Sequence, residues 1–193
     1  MDSPIDNLIN QLSRLPGIGS KTAQRLAYHI IDLDSNRVMQ LTDAITRAKE
    51  NSGLCSICNN VTDTDPCEIC KAEDRNNQII CVVEYPKDVL SIEKAERYDG
   101  LYHVLHGDIV SALDGDVKIK TLLERIRDYD VKEIILAFNP NASGQASIIY
   151  LSELLKPLGI KVTKIAYGLP YGSDMDFFDK ETINIAIANR TEI

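Results

Sequence analysis

Gln78-Ile-Ile-Cys-Val-Val-Glu84 and Glu133-Ile-Ile-Leu-Ala-Phe138 decide how this chain folds. Both are continuous apolar runs rich in β-branched residues, with none of the polar alternation of a half-exposed strand. That is the pattern of a strand buried on both faces. Around them the apolar period changes from two to 3.6. Helical spacing is expected near 89–95, 119–129, 143–155 and 180–188, and shorter strands at 101–105 and 161–166. Strand alternating with helix predicts a parallel sheet with helices on both faces.

Upstream of the first strand the chain reads differently. Ile5, Leu8, Ile9 and Leu12 recur at helical spacing. A second helix is expected from Lys21 to Ile31 with Ser20 as its N-cap, and a third over 35–49 carrying Val38, Leu41, Ile45 and Ala48. Between the first two lies Leu15-Pro-Gly-Ile-Gly19, followed by Lys21 and Arg25. This has the form of a helix-hairpin-helix. Its two glycines permit a tight turn with positive φ. The amides of Gly17, Gly19 and the next helix start can face a phosphate. Lys21 and Arg25, one turn apart, add charge to that face. Such a site holds the backbone of DNA and does not read its sequence.

Cys55-Ser-Ile-Cys58 and Cys67-Glu-Ile-Cys70 form two CxxC pairs eight residues apart. Four thiolates close a tetrahedral shell around Zn²⁺ and leave no position for water, so the metal is structural. The chain opens MDSPIDNLIN, without a basic segment, an apolar core or a cleavage site of a secretory leader. A cytoplasmic protein with reduced thiols is expected, which favours metal over disulfides, with an iron–sulfur cluster as the lesser alternative to zinc. The polar stretch from Gly53 to Asn77 is too short for a core of its own, so the metal must supply folding energy. No apolar run approaches the roughly 20 residues that span a bilayer. A net charge of −8 excludes nucleic-acid binding through a uniformly basic surface. Contact with DNA would need a local patch, backbone amides, or several copies acting together.

The first strand ends on Glu84 at the carboxyl edge of the sheet, where open α/β sheets build their sites, with Asp88 one turn further. The second runs into Asn139-Pro-Asn141. A glutamate after one strand and an acidic pair after another resemble the Mg²⁺ site of a Toprim domain. Here the pair is Asn139 and Asn141, neutral amides that are poor sole ligands for a hard cation. Two-metal phosphoryl chemistry is therefore not expected.

Taken in order, Leu15-Pro-Gly-Ile-Gly19 with Lys21 and Arg25, the cysteine quartet, Val82-Val-Glu84 with Asp88, Tyr102-His-Val104, Leu113-Asp-Gly115, Asn139-Pro140 and Gly168-Leu-Pro170 with Gly172 resemble the RecR family of bacterial recombination mediators. The resemblance implies a non-enzymatic protein of DNA repair that works with RecO, and in many bacteria RecF, to load RecA onto single-stranded DNA coated by SSB. It implies homodimers or homotetrameric rings, with subunit contacts made by the hairpin module and the C-terminal segment, and a cytoplasmic, nucleoid-associated location. Four regions result: a helix-hairpin-helix module for DNA binding and dimerisation at 1–52, a four-cysteine zinc finger at 53–77, a Toprim domain at 78–172, and a C-terminal helical segment at 173–193. Glu84 and Asp88 would form the acidic, partner-binding edge. The chain departs from the family pattern at Ser143-Gly144, where Glu-Gly is usual, at His106-Gly107, where Gly-Gly is usual, at Asp174-Met-Asp176, and in the loop from Asp108 to Lys118.

The rival expectation is a Mg²⁺-dependent Toprim nuclease or primase-like enzyme using Glu84, Asp88 and Asp174 or Asp176. A zinc-stabilised scaffold without a DNA role is a third. Cys81 reads as a core thiol, His103 as a core histidine and His29 as a helix-terminal residue. His106 has no evident partner. Tyr167, Tyr171, Phe177 and Phe178 suit either stacking or core.

Overall fold

A computed structural model describes residues 3–107 and 115–190. The chain divides into two compact units between Ser52 and Gly53.

The first unit is helical. Ser3 accepts the amide of Asp6 and caps α1 (Pro4–Ser13). Helix α2 covers Ser20–Asp32 and α3 covers Ser35–Asn51, the latter capped by Asp34. Ala23 and Ala27 are fully buried. Their small side chains let α1 and α2 pack closely. The expected N-cap at Ser20 is corrected: Ser20 is the first helical residue and extended Gly19 is the cap. α3 buries none of its residues, so Leu41 and Ile45, spaced for a core face, lie exposed.

The second unit opens with a two-stranded antiparallel hairpin, β1 (Gly53–Leu54) with β2 (Val61–Thr62), and the short α4 (Glu68–Lys71). No pattern in the sequence announces this hairpin, because two-residue strands carry no period. Then follow β3 (Asn76–Val83), α5 (Pro86–Glu93), β4 (Gly100–Val104), α6 (Gly115–Asp128), β5 (Glu133–Ala137), α7 (Ala142–Leu155), β6 (Lys161–Lys164) and α8 (Lys180–Ala188). Strands β3 to β6 form one parallel sheet in the order β4-β3-β5-β6. β3 leads outward to β4 on one side, and the chain then returns to place β5 on the other. The switch point falls between the carboxyl ends of β3 and β5.

Each face of the sheet has its own core. Ile80, Val82, Ile134 and Leu136 pack with Leu122 of α6 and Leu151 of α7. Cys81, Val83, Tyr102 and Val104 pack with Val89 of α5. The run 80–83 is buried throughout, as its composition requires. Cys81 is one of these core residues, and burial pushes its thiol up to about 12. Ile69 of the zinc-finger segment packs against both clusters and against the cysteines. The finger therefore shares the core of the sheet in addition to its metal.

Among the described residues no helix is long and apolar enough to cross a membrane. Leu113 and Asp114, and the loop from Asp108 onward to them, lie outside the described residues.

Candidate nucleic-acid interface, metal centre and Toprim edge

The hairpin turn is built by Pro16 and Gly17. Ile18 N–H donates to the Leu15 carbonyl at 3.1 Å, and Gly17 takes φ 78°. Proline second and a left-handed glycine third is the pattern of a type II turn. Only Gly17 needs its conformational freedom; Gly19 is extended at φ −78°. A Cβ at either position would meet nothing within 4 Å, so the turn presents open backbone. α2 starts without a side-chain cap, and Lys21 and Arg25 are exposed on it. Residues 1–52 carry six basic and six acidic side chains, so the net charge of −8 resides in the rest of the chain.

The four cysteines converge. Their sulfurs lie within 4.8 Å of one another, and Cys55, Cys58 and Cys67 are buried. The Cys58 and Cys67 sulfurs are 3.6 Å apart. A tetrahedron of Zn–S bonds of about 2.3 Å has edges of about 3.8 Å, so the donor set fits Zn²⁺. Cys67 N–H donates to Cys55 Sγ at 3.3 Å, and Asp65 accepts the Ser56 amide at 2.8 Å. Burial raises the Cys55 thiol, but the backbone amides of Cys67, Cys58 and Ile57 outweigh it and hold the group at about 7. Cys58 is pushed up by its bond to Cys70 and by burial, and burial lifts Cys67 to about 11. A closed zinc site supplies the positive charge that thiolates crowded this closely require.

At the switch point Glu84 is 4% exposed and accepts Nδ2 of Asn139 at 2.5 Å. Asn141 Oδ1 accepts the Gly144 amide at 2.7 Å and caps α7. Asp88 accepts the Tyr85 amide at 2.8 Å and closes the first turn of α5. Both asparagines and Asp88 are thus engaged in protein contacts. Among the described residues the only group of three or more His, Cys, Asp or Glu side chains able to share a metal is the cysteine quartet. Asp174 and Asp176 do not join Glu84 in such a group.

Several residues of this edge were not legible. A Cβ on Gly144 would sit 2.1 Å from the Asn139 carbonyl oxygen, so glycine alone lets the β5–α7 loop close on the helix. The Asn141-x-x-Gly144 spacing was the available signal. His106, for which the sequence offers no evident partner, donates from Nε2 to the Asn59 carbonyl at 2.5 Å. His103 is fully buried, and burial lowers it to about 4; its Nε2 bonds the Lys118 carbonyl at 2.9 Å while Nδ1 has no partner. Arg75, Glu93 and Tyr102 form a hydrogen-bonded cluster beside β4. Tyr167 is half-buried and donates to the Phe138 carbonyl at 3.0 Å, while Tyr171 and Phe177 are exposed.

The fold and its sites define a Toprim-domain protein carrying a helix-hairpin-helix and a four-cysteine zinc finger. Residues 5–49 match the RecR helix-hairpin-helix, 53–71 the RecR four-cysteine zinc finger domain and 78–166 the Toprim domain. The chain is 48% identical to the recombination protein RecR of Staphylococcus haemolyticus (strain JCSC1435) and 48% identical to that of Staphylococcus aureus (strain MRSA252), in each case over 98% of both chains. The chain belongs to the RecR family of recombination proteins.

Proposed function

We propose that this chain is a non-catalytic mediator of DNA recombination and repair that grips the DNA backbone through its hairpin. With RecO, and RecF where present, it helps load RecA onto single-stranded DNA coated by SSB. The observation that carries the DNA reading is the open turn at Gly17 and Gly19 leading into an uncapped helix with Lys21 and Arg25 exposed. Its amides and two cations face solvent, where a phosphate can reach them. The module is neutral overall, so one copy binds weakly. A dimer or tetrameric ring multiplies the patch, and avidity replaces bulk charge. Exposed Met39, Leu41 and Ile45 on α3 support a subunit contact through the hairpin module, and exposed Tyr171, Met175 and Phe177 one through the C-terminal segment. Functional limits at 1–52, 53–77, 78–172 and 173–193 follow this assignment. Glu84 and Asp88 belong to the partner-facing edge, and work on chromosomal DNA implies a cytoplasmic location.

A metal-dependent nuclease is disfavoured because Asn139 and Asn141 supply amides where carboxylates would be needed, and Asn139 occupies Glu84. A nicking assay on supercoiled DNA with Mg²⁺ should give no cleavage above that of a Glu84→Gln control.

The test is affinity for DNA as a function of salt, with light scattering to fix the assembly. Removing two phosphate contacts in Lys21→Ala/Arg25→Ala should flatten the log–log slope by about 1.4 on single strands, or about 1.8 on duplex, for each hairpin engaged. An unchanged slope and affinity in a folded double variant would dismiss the hairpin as the grip.

A further inference from the structure

Asn59 and His106 are two of three non-glycine residues with left-handed backbone among those described, at φ 60° and 59°. They are bonded to each other, His106 Nε2 donating to the Asn59 carbonyl at 2.5 Å. Left-handed backbone at such residues persists only where the surroundings over-determine it. On one side those surroundings are the metal knuckle. Asn59 directly follows the ligand Cys58, and its amide donates to the Cys55 carbonyl at 2.9 Å. The Cys58 carbonyl accepts the Val104 amide at 2.8 Å, and Asn59 Nδ2 lies 3.3 Å from His103 Nε2. On the other side is the Toprim edge. The amides of Leu105 and Gly107 donate to the carbonyls of Val83 and Glu84, each at 3.0 Å. His106 therefore stands between the zinc knuckle and the backbone of the one buried carboxylate at the switch point.

We propose that the zinc knuckle is a latch on the carboxyl edge of the sheet. Metal at the four cysteines fixes the backbone of Cys58 and Asn59. Through His106 that backbone holds the end of β4 and, by way of Gly107, the Glu84 carbonyl. Metal occupancy then sets the order of the edge, while the sheet interior, whose two clusters are built mainly from the strands and the helices α5 to α7, keeps its own packing. Linkage makes the coupling reciprocal: an edge that is held by the metal also helps to hold the metal.

The experiment is amide hydrogen exchange on the full chain, zinc-loaded and chelator-stripped, with His106→Gly as the uncoupled form. Glycine accepts φ 59° and removes the imidazole. Stripping should speed exchange at the Gly107 amide, which donates to Glu84 and not to the finger, at least tenfold, with Val82 and Leu136 unchanged. His106→Gly should retain one zinc per chain, exchange rapidly at Gly107 with the metal bound, and lose zinc to a competing chelator about three- to tenfold more readily. Unchanged Gly107 protection after stripping, or wild-type zinc affinity in His106→Gly, would overturn the latch. So would a stripped chain that exchanges freely throughout β3 and β5, since the metal would then hold the whole fold.

Discussion

Asn139→Asp tests the Toprim edge most directly. It restores a carboxylate without altering shape and sets it against Glu84, whose Oε2 now accepts the Asn139 amide at 2.5 Å and is 4% exposed. Two effects add. While both carboxyls are ionised, the hydrogen bond to a charged acceptor, about 1.5–3 kcal/mol, is lost. Two carboxylates about 3 Å apart also repel, by roughly 5 kcal/mol if both ionise at an effective dielectric of 20. The pair avoids most of that by keeping one proton, as paired carboxylates do. A net loss of about 2–4 kcal/mol near pH 7 follows, or roughly 4–16 °C in Tm for a unit of this size. The sign with pH is fixed by linkage. The folded variant holds a proton that its unfolded chain releases above about pH 4, so the deficit against wild type is full near pH 7 and closes as pH falls through about 4. Thermal melts at pH 7, 5.5 and 4 read this out. A variant as stable as wild type at pH 7, or a deficit that does not change with pH, would refute the reasoning that Asn139 is there to satisfy a buried carboxylate.

Gly144→Ala should cost about 1–3 kcal/mol, because its Cβ would stand 2.1 Å from a backbone oxygen that cannot swing away; thermal melts measure it, and no loss would mean the β5–α7 loop is looser than its geometry. Glu93→Gln removes the partner of Arg75: burial raises the Glu93 carboxyl, but the hydrogen bonds from Arg75 and Tyr102 and the Arg75 charge outweigh it and hold it below its usual range. Its contribution, about 1–3 kcal/mol, is present above about pH 4.3 and lost as pH falls through the depressed value. Wild type and Glu93→Gln should therefore converge in acid denaturation, and a constant gap would argue against the ion pair. Gly17→Ala meets no steric contact and should cost only the left-handed backbone, about 1 kcal/mol in the hairpin module, together with weaker DNA binding; a melt of the variant and its salt titration on DNA check both.

The parallel sheet was legible because the apolar runs at 79–83 and 134–137 admit no half-exposed strand, and the zinc centre because two CxxC pairs leave little other chemistry open. Pro16 and Gly17 announced their turn for an equally local reason, a fixed φ beside a free one. Local pattern did not reach Ser20, where hydroxyl chemistry suggested a cap and the extended Gly19 took that place. It did not show that the apolar stripe of α3 would stay exposed either, since periodicity reports a face and not what covers it. What Asn139 and His106 do depended on partners far along the chain: Glu84, 55 residues away, and Asn59, 47 residues away. Composition, period and ligand spacing therefore determined the class of fold, the metal and the hairpin, because each acts within a few bonds. Strand order and register alone decided which polar groups meet at the carboxyl edge, because a hydrogen bond between distant residues exists only once packing has chosen their neighbours.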